Sequence, residues 1–155
     1  MRHIVNIIGM IVVAVIIYFV FLLFLEGQLV LYERVVPPAN VTLEDWLESF
    51  KRWGTIGIAT SWASAFIWYV LGQWSFHTDS WSASYKRPLW YVMLFLPVIA
   101  VILGIWFTEQ AQEGAIYAYI FYGLNWLLCF FPATVLFSPS AFKYTPLGAK
   151  ALRRW

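Results

Sequence analysis

The stretch IVNIIGMIVVAVIIYFVFLLFL, Ile4–Leu25, carries no charge, and from Ile11 onward every residue is apolar. A helix needs roughly 20 residues to cross a hydrocarbon core about 30 Å thick, and this run is long enough. Three further runs share the property: Trp53–Trp74, Pro88–Phe107 and Gly114–Phe137. The ten basic and eight acidic residues of the chain all fall between or beyond these four runs. In lipid the backbone N–H and C=O groups must be satisfied internally, which leaves helices or a closed barrel. Barrel strands alternate apolar and polar residues, and Ile11–Leu25 does not. The sequence therefore reads as an all-α integral membrane protein. It forms a single polytopic domain over residues 1–155, with four transmembrane helices at about 4–25, 53–74, 88–107 and 114–137.

Composition agrees. A chain of 155 residues with 62% apolar, 21% aromatic and only 12% charged residues has no room for a separate soluble domain. Cys129 is the single cysteine, so no intramolecular disulfide and no thiol–disulfide relay is available. Met1-Arg2-His3 before an apolar run resembles the start of a secretory signal. The run exceeds a signal h-region of about 7–15 residues and no A-x-A-like site follows, so it reads as a retained anchor.

The flanks alternate in sign. The N-terminus, the 75–87 loop and the 138–155 tail hold Arg2, Lys86, Arg87, Lys143, Lys150, Arg153 and Arg154 against the single acid Asp79. The 26–52 loop and the 108–113 turn hold Arg34, Lys51 and Arg52 against Glu26, Glu33, Glu44, Asp45, Glu48, Glu109 and Glu113. Lys and Arg concentrate on cytoplasmic flanks, which puts both termini in the cytoplasm. The membrane expected is a bacterial inner membrane. The short 108–113 connection fits only an antiparallel hairpin.

Within the external 26–52 loop, Pro37-Pro38 breaks the chain. Leu43, Trp46, Leu47, Phe50 and Trp53 then recur at helical spacing. Thr42 and Asp45 resemble a capping pair, and the acids come early and Lys51-Arg52 late, as the helix dipole favours. Residues 43–52 read as an amphipathic helix on the external interface, with Leu43, Trp46, Leu47 and Phe50 turned to lipid. The ten tryptophans read as interfacial belts. The tail, with Lys143, Lys150, Arg153 and Arg154 and no acid, reads as a cytoplasmic surface-binding segment.

The second span carries Gly57, Ser61 and Ala65 at four-residue spacing, with Ala59 and Ala63 as a second row. Small residues permit close backbone approach, and Thr60 and Ser64 offer interhelical hydrogen bonds. Ala100 and Gly104 form a facing pair in the third span, and Asn125 reads as a protein-facing hydrogen-bonding group in the fourth. Pro97 and Pro132 each remove one helix hydrogen bond and read as structural bends.

No catalytic, cofactor-binding or metal-ligating set assembles from the sequence. The only histidines, His3 and His77, lie outside the spans without a Cys or acid cluster, and Glu109 and Glu113 flank a solvated turn. Proton-coupled carriers and ion pumps place an ionisable residue inside the membrane, and none occurs here. The expectation is a non-enzymatic structural or assembly subunit of a larger membrane protein complex, such as a bacterial envelope secretion or conjugation-type assembly. Its partners are the lipid bilayer and other membrane subunits, including copies of itself, with no nucleic acid. A small oligomeric channel or carrier is the second reading. A haem- or metal-binding redox subunit using His3 and His77 is the third.

Overall fold

The computed structural model describes residues 2–26, 36–74, 83–107 and 115–136. These form four helices, with no strand among the described residues: α1 (Arg2–Glu26), α2 (Leu43–Trp74), α3 (Ala83–Phe107) and α4 (Ala115–Leu136). Three of them contain segments long and apolar enough to cross a membrane: His3–Phe21, Leu43–Leu71 and Pro88–Phe107. In α4 the segment Tyr122–Val135 is apolar but shorter.

The start of α2 is set by its cap. The Val41 N–H donates to the Pro38 carbonyl at 3.0 Å, closing a turn that delivers Thr42 to the helix entrance. The Thr42 hydroxyl accepts from the Asp45 N–H at 3.2 Å and donates to Asp45 Oδ2 at 2.6 Å. The Trp46 N–H then makes the first helical bond, to the Thr42 carbonyl at 3.0 Å. One otherwise orphaned N–H at the helix start is satisfied, as the capping pair requires. Thr42→Ala is expected to lower stability by about 1 kcal/mol. Thermal unfolding in detergent, with Thr42→Ser as a near-neutral control, would check this.

Helix α2 is the spine of the bundle and packs against all three others. Its 32 residues run unbroken from the charged Leu43–Arg52 segment into the uncharged span. Nothing between Arg52 and Trp53 breaks the helix, so one phase carries through both parts. Trp46, Phe50, Gly54, Ile58, Ser61, Ala65 and Trp68 consequently form one inward stripe at three- and four-residue spacing, all buried. Trp46 and Phe50, expected on the external interface, are buried against other helices of the protein. Leu43 and Leu47 on the same segment are half-buried.

Contacts fix the direction of each helix relative to the others. His3 near the start of α1 is hydrogen-bonded to Tyr69 late in α2 at 2.9 Å, whereas Phe21 late in α1 meets Phe50 early in α2, with ring centroids 5.8 Å apart. Trp90 early in α3 packs on Phe130 late in α4, at 5.4 Å. Phe50 early in α2 packs on Tyr122 early in α4, at 4.6 Å. Hence α1 and α3 run antiparallel to α2 and α4, an up-and-down bundle.

Two apolar clusters fill it. Toward one end lie Ile17, Phe21, Trp46, Phe50, Ile58, Tyr122 and Cys129, and toward the other Met10, Ala65, Trp68, Tyr69, Trp90, Phe130 and Ala133. Lipid tails are as apolar as these side chains, so between helices in lipid the attraction comes from close packing and hydrogen bonds rather than from escape from water. Aromatic pairs suit this, contributing about 0.5–1.5 kcal/mol each beyond area burial. The tryptophan belt is accordingly incomplete. Trp46, Trp68 and Trp90 are core residues, whereas Trp106 is 81% exposed at the end of α3. Pro88 and Pro97 sit inside α3 and Pro132 inside α4, the Pro97 ring fully buried.

Candidate interhelical interface

The two small-residue rows of α2 lie on different faces. Gly57, Ser61 and Ala65 point into the bundle, and Ser61 and Ala65 are fully buried. On this face α4 approaches the α2 backbone. The Tyr122 hydroxyl donates to the Phe50 carbonyl at 3.0 Å, and Cys129 Sγ lies 3.9 Å from the Ile58 carbonyl. Tyr122 and Cys129 are seven residues apart, two turns of α4, so both face the same groove of α2. Asn125 lies between them and is buried, facing protein.

The hydroxyls of α2 bond mostly along their own helix. Thr55 donates to the Lys51 carbonyl at 2.8 Å and Ser61 to the Gly57 carbonyl at 2.7 Å. Thr60 shares its proton between the carbonyls of Ile56 and Gly57, at 2.9 and 3.0 Å. Hydroxyls close enough to the preceding turn take the nearest acceptor, so the bond expected from Thr60 to another helix is made within α2 instead.

Close approach occurs at Gly54, which the four-residue spacing does not select, and at Gly104, which it pairs with Ala100. A Cβ added at Gly54 would overlap the Phe21 ring of α1. One added at Gly104 of α3 would lie 3.3 Å from Trp53 Cβ and 3.8 Å from the Tyr122 ring. At Gly57, by contrast, nothing lies within 4 Å of an added Cβ. Gly104 thus seats an indole rather than a partner's small residue, and buried Ala100 lies one turn before it. The size of the opposing side chain decides which glycine matters, and it comes from another helix. No pattern within α2 could have revealed Gly54.

The second row, Ala59 and Ala63, faces outward. With Thr55, Ile58 and Trp62 it forms one wall of a groove of about 580 Å³, whose other wall is Ile11, Ala14, Val15 and Tyr18 of α1. The buried Trp62 Nε1 has no hydrogen-bond partner among the described residues. Near the start of α2, the exposed Asp45, Glu48 and Arg52 and half-buried Ser49 line a second pocket with Trp53 and Phe107.

His3 is tied to Tyr69, an attachment between residues 66 positions apart that no local signal predicts. Among the described residues no group of three or more His, Cys, Asp or Glu side chains comes together. His77, Glu109 and Glu113, and the basic tail residues Lys143, Lys150, Arg153 and Arg154, lie outside the described residues. No protein-family model, curated protein or solved structure matches this chain.

Proposed function

We propose that this chain is a four-span, non-enzymatic subunit of a larger membrane assembly, of the kind found in bacterial envelope secretion or conjugation systems, with both termini cytoplasmic. The fourth crossing is α4, whose 22 residues suffice for a hydrocarbon core of about 30 Å. The bases on the N-terminus, the 75–87 loop and the tail support the orientation.

The observation that carries the subunit reading is the groove between α1 and α2. Exposed Ile and Leu side chains are ordinary on a lipid-facing surface. A concave strip walled by Ala14, Ala59 and Ala63 is different, because small residues let a second backbone approach closely. A transmembrane helix of another subunit is the occupant this geometry favours. The α2 hydroxyls bonded to their own backbone lend no support to a solute path along that helix.

Mild-detergent extraction from native membranes is expected to bring down defined membrane partners with the full-length chain. The double variant Ala59→Leu/Ala63→Leu is expected to lose them while keeping the helical content and melting behaviour of the unmodified protein. A stable lone monomer that captures nothing would end the subunit reading. Unchanged capture by the double variant would move the interface away from the groove.

A further inference from the structure

We propose that the pocket between the first turns of α2 and the end of α3 binds the headgroup of a phosphoethanolamine lipid. The proposal rests on the membrane reading above but not on any protein partner. The pocket, of about 420 Å³, is lined by Asp45, Glu48, Ser49, Arg52, Trp53 and Phe107. Asp45, Glu48, Ser49 and Arg52 recur at three- and four-residue spacing, so they share one face of α2. That face offers two carboxylates, a hydroxyl and a guanidinium, a set complementary to a ligand carrying both charges.

Each part of the headgroup has a partner. The Arg52 guanidinium offers parallel N–H donors suited to a phosphate, and Ser49 adds a hydroxyl to the same lining. One oxygen of Asp45 accepts from Thr42, which holds that carboxylate at the pocket edge. Glu48 and the second oxygen of Asp45 are the acceptors the lining offers to an ammonium. A primary ammonium donates three hydrogen bonds and satisfies two carboxylates, whereas a quaternary one donates none. Trp53 and Phe107 stack in parallel, centroids 5.2 Å apart and planes 5° apart, so each covers one face of the other. That closes part of the aromatic surface a choline would use. An anionic headgroup would meet two carboxylates against one base.

The surroundings point to a lipid rather than a soluble headgroup. The pocket lies where the charged turns of α2 give way to its uncharged span. Phe107 on its wall begins an exposed apolar stripe that continues down α3 through Leu103, Ile99 and Leu96. At 1.5 Å per residue the stripe from Phe107 to Leu96 is about 16 Å long, close to the depth of one leaflet. An acyl chain attached to a headgroup in the pocket would lie along it.

The test is native mass spectrometry of the full-length chain in detergent, titrated separately with dioleoyl phosphatidylethanolamine, phosphatidylcholine and phosphatidylglycerol. The ethanolamine lipid is expected to be retained about tenfold better than either alternative. Glu48→Gln and Arg52→Gln are each expected to remove that preference. Glu44→Gln, an exposed carboxylate outside the pocket, is expected to keep it. Excess glycerophosphoethanolamine is expected not to compete, and competition at equal concentration would make the ligand a soluble headgroup instead. Equal retention of the three lipids, or a preference that survives both pocket variants, overturns the proposal. Failure of the assembly reading would appear instead as lost partner capture, with lipid selectivity unchanged.

Discussion

Phe50→Ala is expected to lower the unfolding free energy by about 3 kcal/mol, the lower end of the range for removing a buried Phe ring. Phe50 is fully buried. It stacks on Trp46 at 5.5 Å and 11°, meets Phe21 at 5.8 Å and receives the edge of Tyr122 at 4.6 Å. Truncation therefore empties a volume bordered by α1, α2 and α4 together. The lower end applies because an apolar ring gains little on leaving lipid, so most of the loss is packing. The hydrogen bond from Tyr122 to the Phe50 carbonyl is a backbone contact and survives the substitution in principle. Chemical unfolding in mixed micelles would measure the change. A residue facing lipid would give roughly 0.5 kcal/mol or less, as surface substitutions do, so the magnitude separates an interior ring from an interfacial one.

Gly54→Leu is expected to cost about 2–3 kcal/mol, because even its Cβ would overlap the Phe21 ring. Phe21 is fully buried and backed by Phe50, so it has little room to retreat. α1 must shift away from α2 or the ring must leave its rotamer. Combining Gly54→Leu with Phe21→Ala is expected to recover part of the loss, giving a coupling of at least about 1 kcal/mol in a double-mutant cycle. Simple additivity would show that the two residues do not share this contact. Gly57→Ala, three residues on, is expected to be neutral or to stabilise by about 0.5–1 kcal/mol. The space there is open, and alanine is the better helix former.

The contrast between these glycines shows where sequence reading stops. The Gly57/Ser61/Ala65 row is visible as a period of four, and the bundle does bury it. The period says which residues share a face but not what that face meets. Gly57 meets open space, whereas Gly54, outside the row, meets a phenyl ring from a helix whose sequence contact lies more than 30 positions away. The segment before the second span shows the same limit. Its apolar spacing was legible and its cap formed as expected, yet Trp46 and Phe50 point into the core. An amphipathic stripe is equally satisfied by lipid or by protein. The choice was made by helical phase, which ties these two residues to the buried face of the span that follows.

By itself the sequence determined that the chain is helical, where its long apolar segments lie and how charge divides between their flanks. Those properties follow from local quantities: backbone hydrogen bonding in lipid, segment length and the energy of placing charge at a membrane boundary. Only the tertiary structure decided that α2 is the shared spine, that aromatic rings dominate the two buried clusters, and that one alanine row is left facing outward in a groove. It also brought Phe107 against Trp53 and so joined the charged turns of α2 to the apolar stripe of α3. These are relations between helices whose surfaces are almost uniformly apolar. Apolarity alone does not rank one pairing above another, and shape complementarity between distant side chains does.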